Sequence, residues 1–175
     1  MNFLIQWVDN HPRRLLALIS LACVVLLVFG MYLQHVVGLE PCPMCIVQRY
    51  AMVLVALVAG LAATRSSRGV LLGSSLAMMV LAGFGGFVAA RQSWLQWYPP
   101  ETLSCGRDLY GMIENFPLQR VIPMVFKGSG DCSAVDWTFL GGSIANWSFL
   151  CFCAIALAAA ALALRQVARS AKASD

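Results

Sequence analysis

A chain of 175 residues that is 60% hydrophobic and only 11% charged has too few charges to solvate the surface of a water-soluble domain. Its formal net charge of +4 comes largely from basic residues beside apolar runs, so it gives no reason to expect a nucleic-acid partner. The composition predicts one integral membrane domain over 1–175, and the odd count of seven cysteines excludes a purely structural set of intramolecular bridges.

Residues 1–10 are short and mixed, and His11-Pro12-Arg13-Arg14 precedes an unbroken apolar run over 15–33, close to the roughly 20 residues that cross hydrocarbon. Arginines before an apolar run also suit a cleaved signal peptide or a twin-arginine export signal, and Ser20-Leu21-Ala22-Cys23 resembles a lipoprotein cleavage site. The run continues well past Cys23 with no small-x-small site after it, so a span is expected. A brief connection over 34–45 leads into Pro41-Cys42-Pro43-Met44-Cys45-Ile46-Val47-Gln48-Arg49, where two thiols at C-x-x-C spacing open the next apolar run. If a helix starts near Pro43, residues four apart share a face, and Cys45 and Arg49 lie one above the other. The positive end of the helix dipole and the Arg49 guanidinium then favour the thiolate of Cys45, the reactive form.

The second span is expected over 46–64, followed by the basic turn Arg65-Ser66-Ser67-Arg68 and a third span over 70–90. Gly73, Gly83, Gly85 and Gly86, with Ser74 and Ser75, are read as small residues that let helices approach closely. A long loop over 91–146 is rich in proline, glycine and charge, and carries Cys105 in Ser104-Cys105-Gly106-Arg107-Asp108. Leu109, Met112, Ile113 and Phe116 recur at helical spacing opposite Glu114 and Asn115, which predicts a short helix lying in the membrane surface. Gly128-Ser129-Gly130-Asp131-Cys132 sets the next thiol on a flexible, exposed arm. The fourth span is expected over 147–164, ahead of a basic tail.

Four crossings put Arg13, Arg14, Arg65, Arg68, Arg165, Arg169 and Lys172 on one side, which the positive-inside rule makes cytoplasmic along with both termini. The other side receives Cys42, Cys45, Cys105 and Cys132 with six of the eight acidic residues, in a compartment where disulfides persist. Cys23, Cys151 and Cys153 fall inside spans and read as small buried apolar residues.

A C-x-x-C serves both zinc and redox chemistry. Cys42, Cys45, Cys105 and Cys132 would offer zinc four sulfurs, but structural zinc usually takes paired C-x-x-C knuckles and the second pair here is split by a long stretch, so no metal is expected. A Cys105 to Cys132 bridge would serve as a staple worth about 3–4 kcal/mol, which leaves the C-x-x-C beside Arg49 unexplained.

Taken together, Gln34-His35, Pro41-Cys42-x-x-Cys45 with Arg49, Leu95-Gln96-x-Tyr98-Pro99 ahead of Cys105, and Gly128-Ser129-Gly130-Asp131-Cys132 ahead of Trp137 resemble the disulfide bond formation protein B (DsbB) family over nearly the whole chain. The resemblance implies an all-α membrane protein of the bacterial inner membrane: a four-transmembrane-helix bundle with one short and one long periplasmic loop, the long one carrying the interfacial helix. It implies a thiol oxidase that re-oxidises a DsbA-like periplasmic thioredoxin-fold protein and passes the electrons to a membrane quinone, ubiquinone or menaquinone. The catalytic residues it implies are Cys42, Cys45, Cys105 and Cys132, and the quinone-binding residues are Arg49 and Cys45. In that relay reduced DsbA attacks the Cys105/Cys132 disulfide at Cys105, Cys132 attacks Cys42, and Cys45 is freed as a thiolate against the quinone. Some members carry histidine where Gln92 stands, so the resemblance assigns Gln92 no role. The vitamin K epoxide reductase type, a rival, would place its C-x-x-C near the last span, and the Cys-Cys-Gly of a tetraspanin is absent.

Overall fold

The computed structural model describes residues 12–39, 41–65, 67–99 and 132–171, with side chains as far as 168. Four helices account for most of them: α1 (Pro12–His35), α2 (Pro43–Ala63), α3 (Arg68–Trp97) and α4 (Ile144–Ala171). Each is long and apolar enough to cross a bilayer, which makes this a multi-pass, all-α membrane protein as the sequence predicts. Cys105 and the expected interfacial helix around Leu109 and Phe116 lie outside the described residues.

The helices pack in chain order, α1 on α2, α2 on α3, and α3 on α4, around one core that draws on all four. Its α2 face is built of Ala51, Ala56, Ala59 and Ala62 around Val55, so the α2 backbone lies close to its neighbours. Ser20 Oγ of α1 donates to the Ala56 carbonyl over 2.9 Å, a polar tie between two otherwise apolar helices. On α3 the glycines divide. A Cβ on Gly85 would run into the ring of Phe152, which is fully buried, and one on Gly86 would touch the same side chain, whereas Gly73 and Gly83 face open space. The expected packing role therefore holds at Gly85 and Gly86 and not at Gly73 and Gly83. Ser74 and Ser75 turn their hydroxyls back to the Leu71 carbonyl and so bury without an orphaned donor.

Helix ends run past the apolar stretches. α3 continues through Arg91 to Trp97, where the sequence suggested a loop from 91, because nothing in Arg91-Gln92-Ser93-Trp94-Leu95-Gln96-Trp97 breaks a helix before Pro99. In this last stretch Gln92, Ser93 and Leu95 are buried while Trp94 and Trp97 face outward. At the same end of the bundle a two-stranded hairpin, β1 (Thr138–Phe139) with β2 (Gly142–Ser143), precedes α4. Its two-residue turn holds Leu140 at φ 49° and Gly141 at φ 79°, the left-handed pair that matches strand twist and that a leucine adopts only under strain. Trp147 fastens the hairpin to α4 by donating from Nε1 to the Phe139 carbonyl at 3.0 Å, and Ser143 caps α4 by accepting from the Asn146 amide.

Gly85→Ala is expected to lower the unfolding midpoint of the detergent-solubilised protein, by about 1–3 kcal/mol if the overpacking is not relieved. Combining it with Phe152→Leu should recover part of that loss, and an unaltered midpoint in the single variant would contradict the packing described.

Candidate functional site

The site begins with the way α2 starts. A residue before proline is driven from helical to extended backbone, and Cys42, ahead of Pro43, has φ −71° and ψ 159°. Pro43 then takes the first helical position, where its missing N–H costs nothing. Cys42 thereby becomes the helix cap, its Sγ accepting from the Cys45 amide at 3.3 Å. The C-x-x-C spacing thus folds into a capping turn with the two sulfurs 2.7 Å apart and not disulfide-bonded.

Cys132 reaches this turn from outside. The sequence put it on an exposed arm, but its side chain is fully buried in a cluster with Cys42, Met44, Val88 and Leu95, an apolar pocket that a thiol fills and against which Cys45 also packs. The hydrogen bond with Cys132, then that with Cys45, then burial hold the Cys42 thiol above its ordinary pKa, so Cys42 keeps its proton at neutral pH. Three of the four predicted cysteines, Cys42, Cys45 and Cys132, are therefore brought together.

Arg49 stands one turn beyond Cys45, as expected, yet its described hydrogen bonds go elsewhere. Its Nη1 donates to Gln34 Oε1 at 2.5 Å and its Nη2 to the Gly30 carbonyl at 3.2 Å, both on α1. The group that touches the sulfurs is Gln92 of α3: its Nε2 lies 3.2 Å from Cys42 Sγ and 3.2 Å from Cys45 Sγ. Gln48 of α2 in turn donates to Gln92 Oε1 over 2.7 Å. Sequence reasoning left Gln92 without a role and passed over Gln48. The signal was there as glutamines at inward positions of apolar helices, where a polar side chain is retained only if it has partners.

Cys45, Arg49, Gln34 and Gln92 all open onto one cavity of about 650 Å³, the size of a small-molecule pocket. Leu26, Phe29 and Leu33 of α1, Met52 of α2 and Trp137 make its apolar walls, while Gln96 and Ser143 add further polar groups. Trp137 meets Phe29 edge to face and stacks on Phe139, with ring centroids 5.9 and 6.0 Å apart. Gln96 ties this wall to α3 by accepting from Ser143 Oγ at 2.6 Å and donating to the Ala134 carbonyl at 3.4 Å. Cys151 and Cys153, expected to be buried, are half-buried, and Cys151 contributes to the cavity wall, while Cys23 belongs to the core as expected. Chemically, the arrangement offers an apolar chamber with a sulfur, a cation and amide donors at one end, and a second sulfur linking it to an incoming loop.

Residues 12–162 match the family model for disulfide bond formation protein DsbB. A protein of Polaromonas sp. named disulfide bond formation protein B is 70% identical over 161 residues, covering 92% of this chain and 96% of the relative. Proteins of the same name from Polaromonas naphthalenivorans and Albidiferax ferrireducens are 73% identical over 156 residues and 67% identical over 163 residues, covering 89% and 93% of this chain and 93% and 94% of theirs. No solved structure matches the chain.

With Cys45 and Cys105 replaced by serine, mild oxidation is expected to join Cys42 to Cys132 within the chain, since their sulfurs already meet. Mass analysis of the linked peptide checks it, and a pair that stays reduced would contradict the contact.

Proposed function

The chain belongs to the disulfide bond formation protein B family, and on that premise we propose that it is a thiol oxidase of the bacterial inner membrane that re-oxidises a DsbA-like periplasmic protein at the expense of a membrane quinone. The observation that carries the proposal is a run of touching sulfurs, Cys132 on Cys42 and Cys42 on Cys45, that ends on the wall of an apolar cavity.

The cavity suits a quinone. Aromatic and aliphatic walls accommodate a ring and an isoprenoid tail, and Arg49 and Gln34 supply polar groups for a ring carbonyl beside Cys45. When bound, the quinone supplies an acceptor for two electrons and two protons.

The residues of the chain do the rest by exchange. A DsbA thiolate attacks Cys105 of the Cys105/Cys132 disulfide, forming a mixed disulfide and releasing Cys132 as a thiolate. The second DsbA thiol resolves that bond, so DsbA leaves oxidised and Cys105 reduced. Cys132 attacks Cys42 of the Cys42/Cys45 disulfide, forming the Cys42 to Cys132 bond and expelling Cys45 as a thiolate. The contact already present between Cys132 and Cys42 keeps the travel for this step short. Cys105 then attacks Cys132, restoring the Cys105/Cys132 disulfide and freeing Cys42 as a thiolate, and Cys42 and Cys45 re-form their disulfide as two electrons pass from Cys45 to the acceptor that the cavity would hold. Two thiols of DsbA have then become a disulfide, and one quinone a quinol.

A periplasmic sulfur end is supported by the basic flanks. Arg13 and Arg14 open α1, Arg65 and Arg68 bracket the turn between α2 and α3, and Arg165 lies near the end of α4, all at the opposite end from Cys42.

Purified protein given reduced DsbA and quinone should consume the quinone, read by its ultraviolet absorbance. Serine at Cys42, Cys45, Cys105 or Cys132 should abolish turnover, and serine at Cys23 or Cys153, away from the cavity, should leave it intact; full turnover with Cys45→Ser would overturn the proposal. Arg49→Gln should raise the KM for quinone about tenfold or more by removing a charged hydrogen-bond donor, with the KM for DsbA little altered. An unchanged quinone response would remove Arg49 from the site.

A further inference from the structure

Gln48 and Gln92 meet inside the bundle with only 5% and 4% of their surfaces exposed. Buried amides persist where their hydrogen bonds are made, and here the partners are each other and the two sulfurs. An amide turned end for end fills the same space, so its partners decide its orientation. The sulfur side decides it: a sulfur anion can accept a hydrogen bond but has none to donate, so it takes the Nε2 end at 3.2 Å, while Oε1, 3.7 Å from Cys45 Sγ, receives the Gln48 N–H.

Resting on the reading of Cys45 as the sulfur that gives up electrons, we infer that Gln48 and Gln92 form an amide relay that stabilises charge on that sulfur. Gln92 is a catalytic residue that donates N–H to Cys45 and Cys42, and Gln48 is a positioning residue whose N–H holds the Oε1 end of Gln92. The relay carries no titratable proton. It therefore supports a sulfur anion without competing for the protons that leave with the reduced acceptor. Nε2 stands 3.2 Å from both sulfurs, within hydrogen-bonding reach of either one that carries charge. Arg49, engaged with Gln34 and Gly30, serves the cavity wall instead.

Among the described residues, the other titratable and charged groups around Cys45 are Cys42 at the helix cap, Cys132 from the segment before the hairpin, and Arg49, Asp136 and Cys151 along the cavity. None of these is altered by a neutral substitution at Gln92 or Gln48, which isolates the relay.

The test is alkylation of the fully reduced, full-length protein by iodoacetamide over a range of pH, with modification of Cys45 quantified by peptide mass. Gln92→Met should slow the reaction at neutral pH about tenfold, with the difference vanishing in alkali, where the thiol ionises unaided. Gln48→Met should give a smaller slowing of the same form, and no additional slowing once Gln92 is Met. Gln92→His, which restores a ring N–H, should recover most of the neutral rate and shows that the site still folds. A wild-type profile in Gln92→Met, or slowing by one factor at every pH, would overturn the relay. The assay contains no quinone, so its result is separate from turnover: a chain that fails to reduce quinone yet shows this profile overturns the proposed function and upholds the relay.

Discussion

The start of α2 is the constraint on which the rest of the site depends. Pro43 forces Cys42 into extended backbone and begins the helix in a single step, so the helix cap is a thiol and its acceptor bond is to the amide of the second thiol. Moving this start by one residue would rotate Cys45 by about 100° around the helix and take it off the cavity. Gln48, one turn further along, would leave Gln92 by the same rotation. A local rule about proline thus sets the geometry of sulfurs, amides and cavity together.

Around that start, α3 works as a second fixed surface. Its final turns carry Gln92 to the sulfurs, Leu95 and Val88 to the pocket that receives Cys132, and Gln96 to the hairpin segment. The segment entering α4 is consequently held at both ends, at Cys132 by burial against α2 and α3 and at Ser143 by its bond to Gln96 and its capping of α4. Aromatic contacts among Phe29, Trp137, Phe139 and Trp147 join that segment to α1 and α4 and line the cavity. The strained left-handed Leu140 in the hairpin turn is held by Trp147, which grips the strand before it and packs on Gly142 after it.

Much of the fold was legible in the sequence because bilayer spans are written in composition. Twenty or so apolar residues bounded by arginines leave few alternatives, and the helices lie where those runs fall. Helix ends were less legible, since hydropathy marks the hydrocarbon while the backbone continues until a proline or a cap stops it, and α3 accordingly outruns its apolar stretch by the residues that matter most. Assigning 91–97 to a loop hid Gln92, whose place on an inward face exists only if the helix persists. The direction of Arg49 was equally hidden: spacing along one helix puts it over Cys45, but Gln34 and Gly30 on another helix claim its guanidinium. The hairpin left no signal, because Leu140-Gly141 is not the asparagine or aspartate pair that advertises such a turn.

The account turns on the cavity beside Cys45 being where the electron acceptor sits, and covalent capture measures that directly. Irradiating the purified protein with a photoreactive quinone analogue should label the cavity walls, at Phe29 and Leu33 of α1 and at Trp137, with labelling suppressed by unmodified quinone. Labels spread over outward-facing side chains such as Leu57 and Val80, indifferent to the competitor, would contradict it.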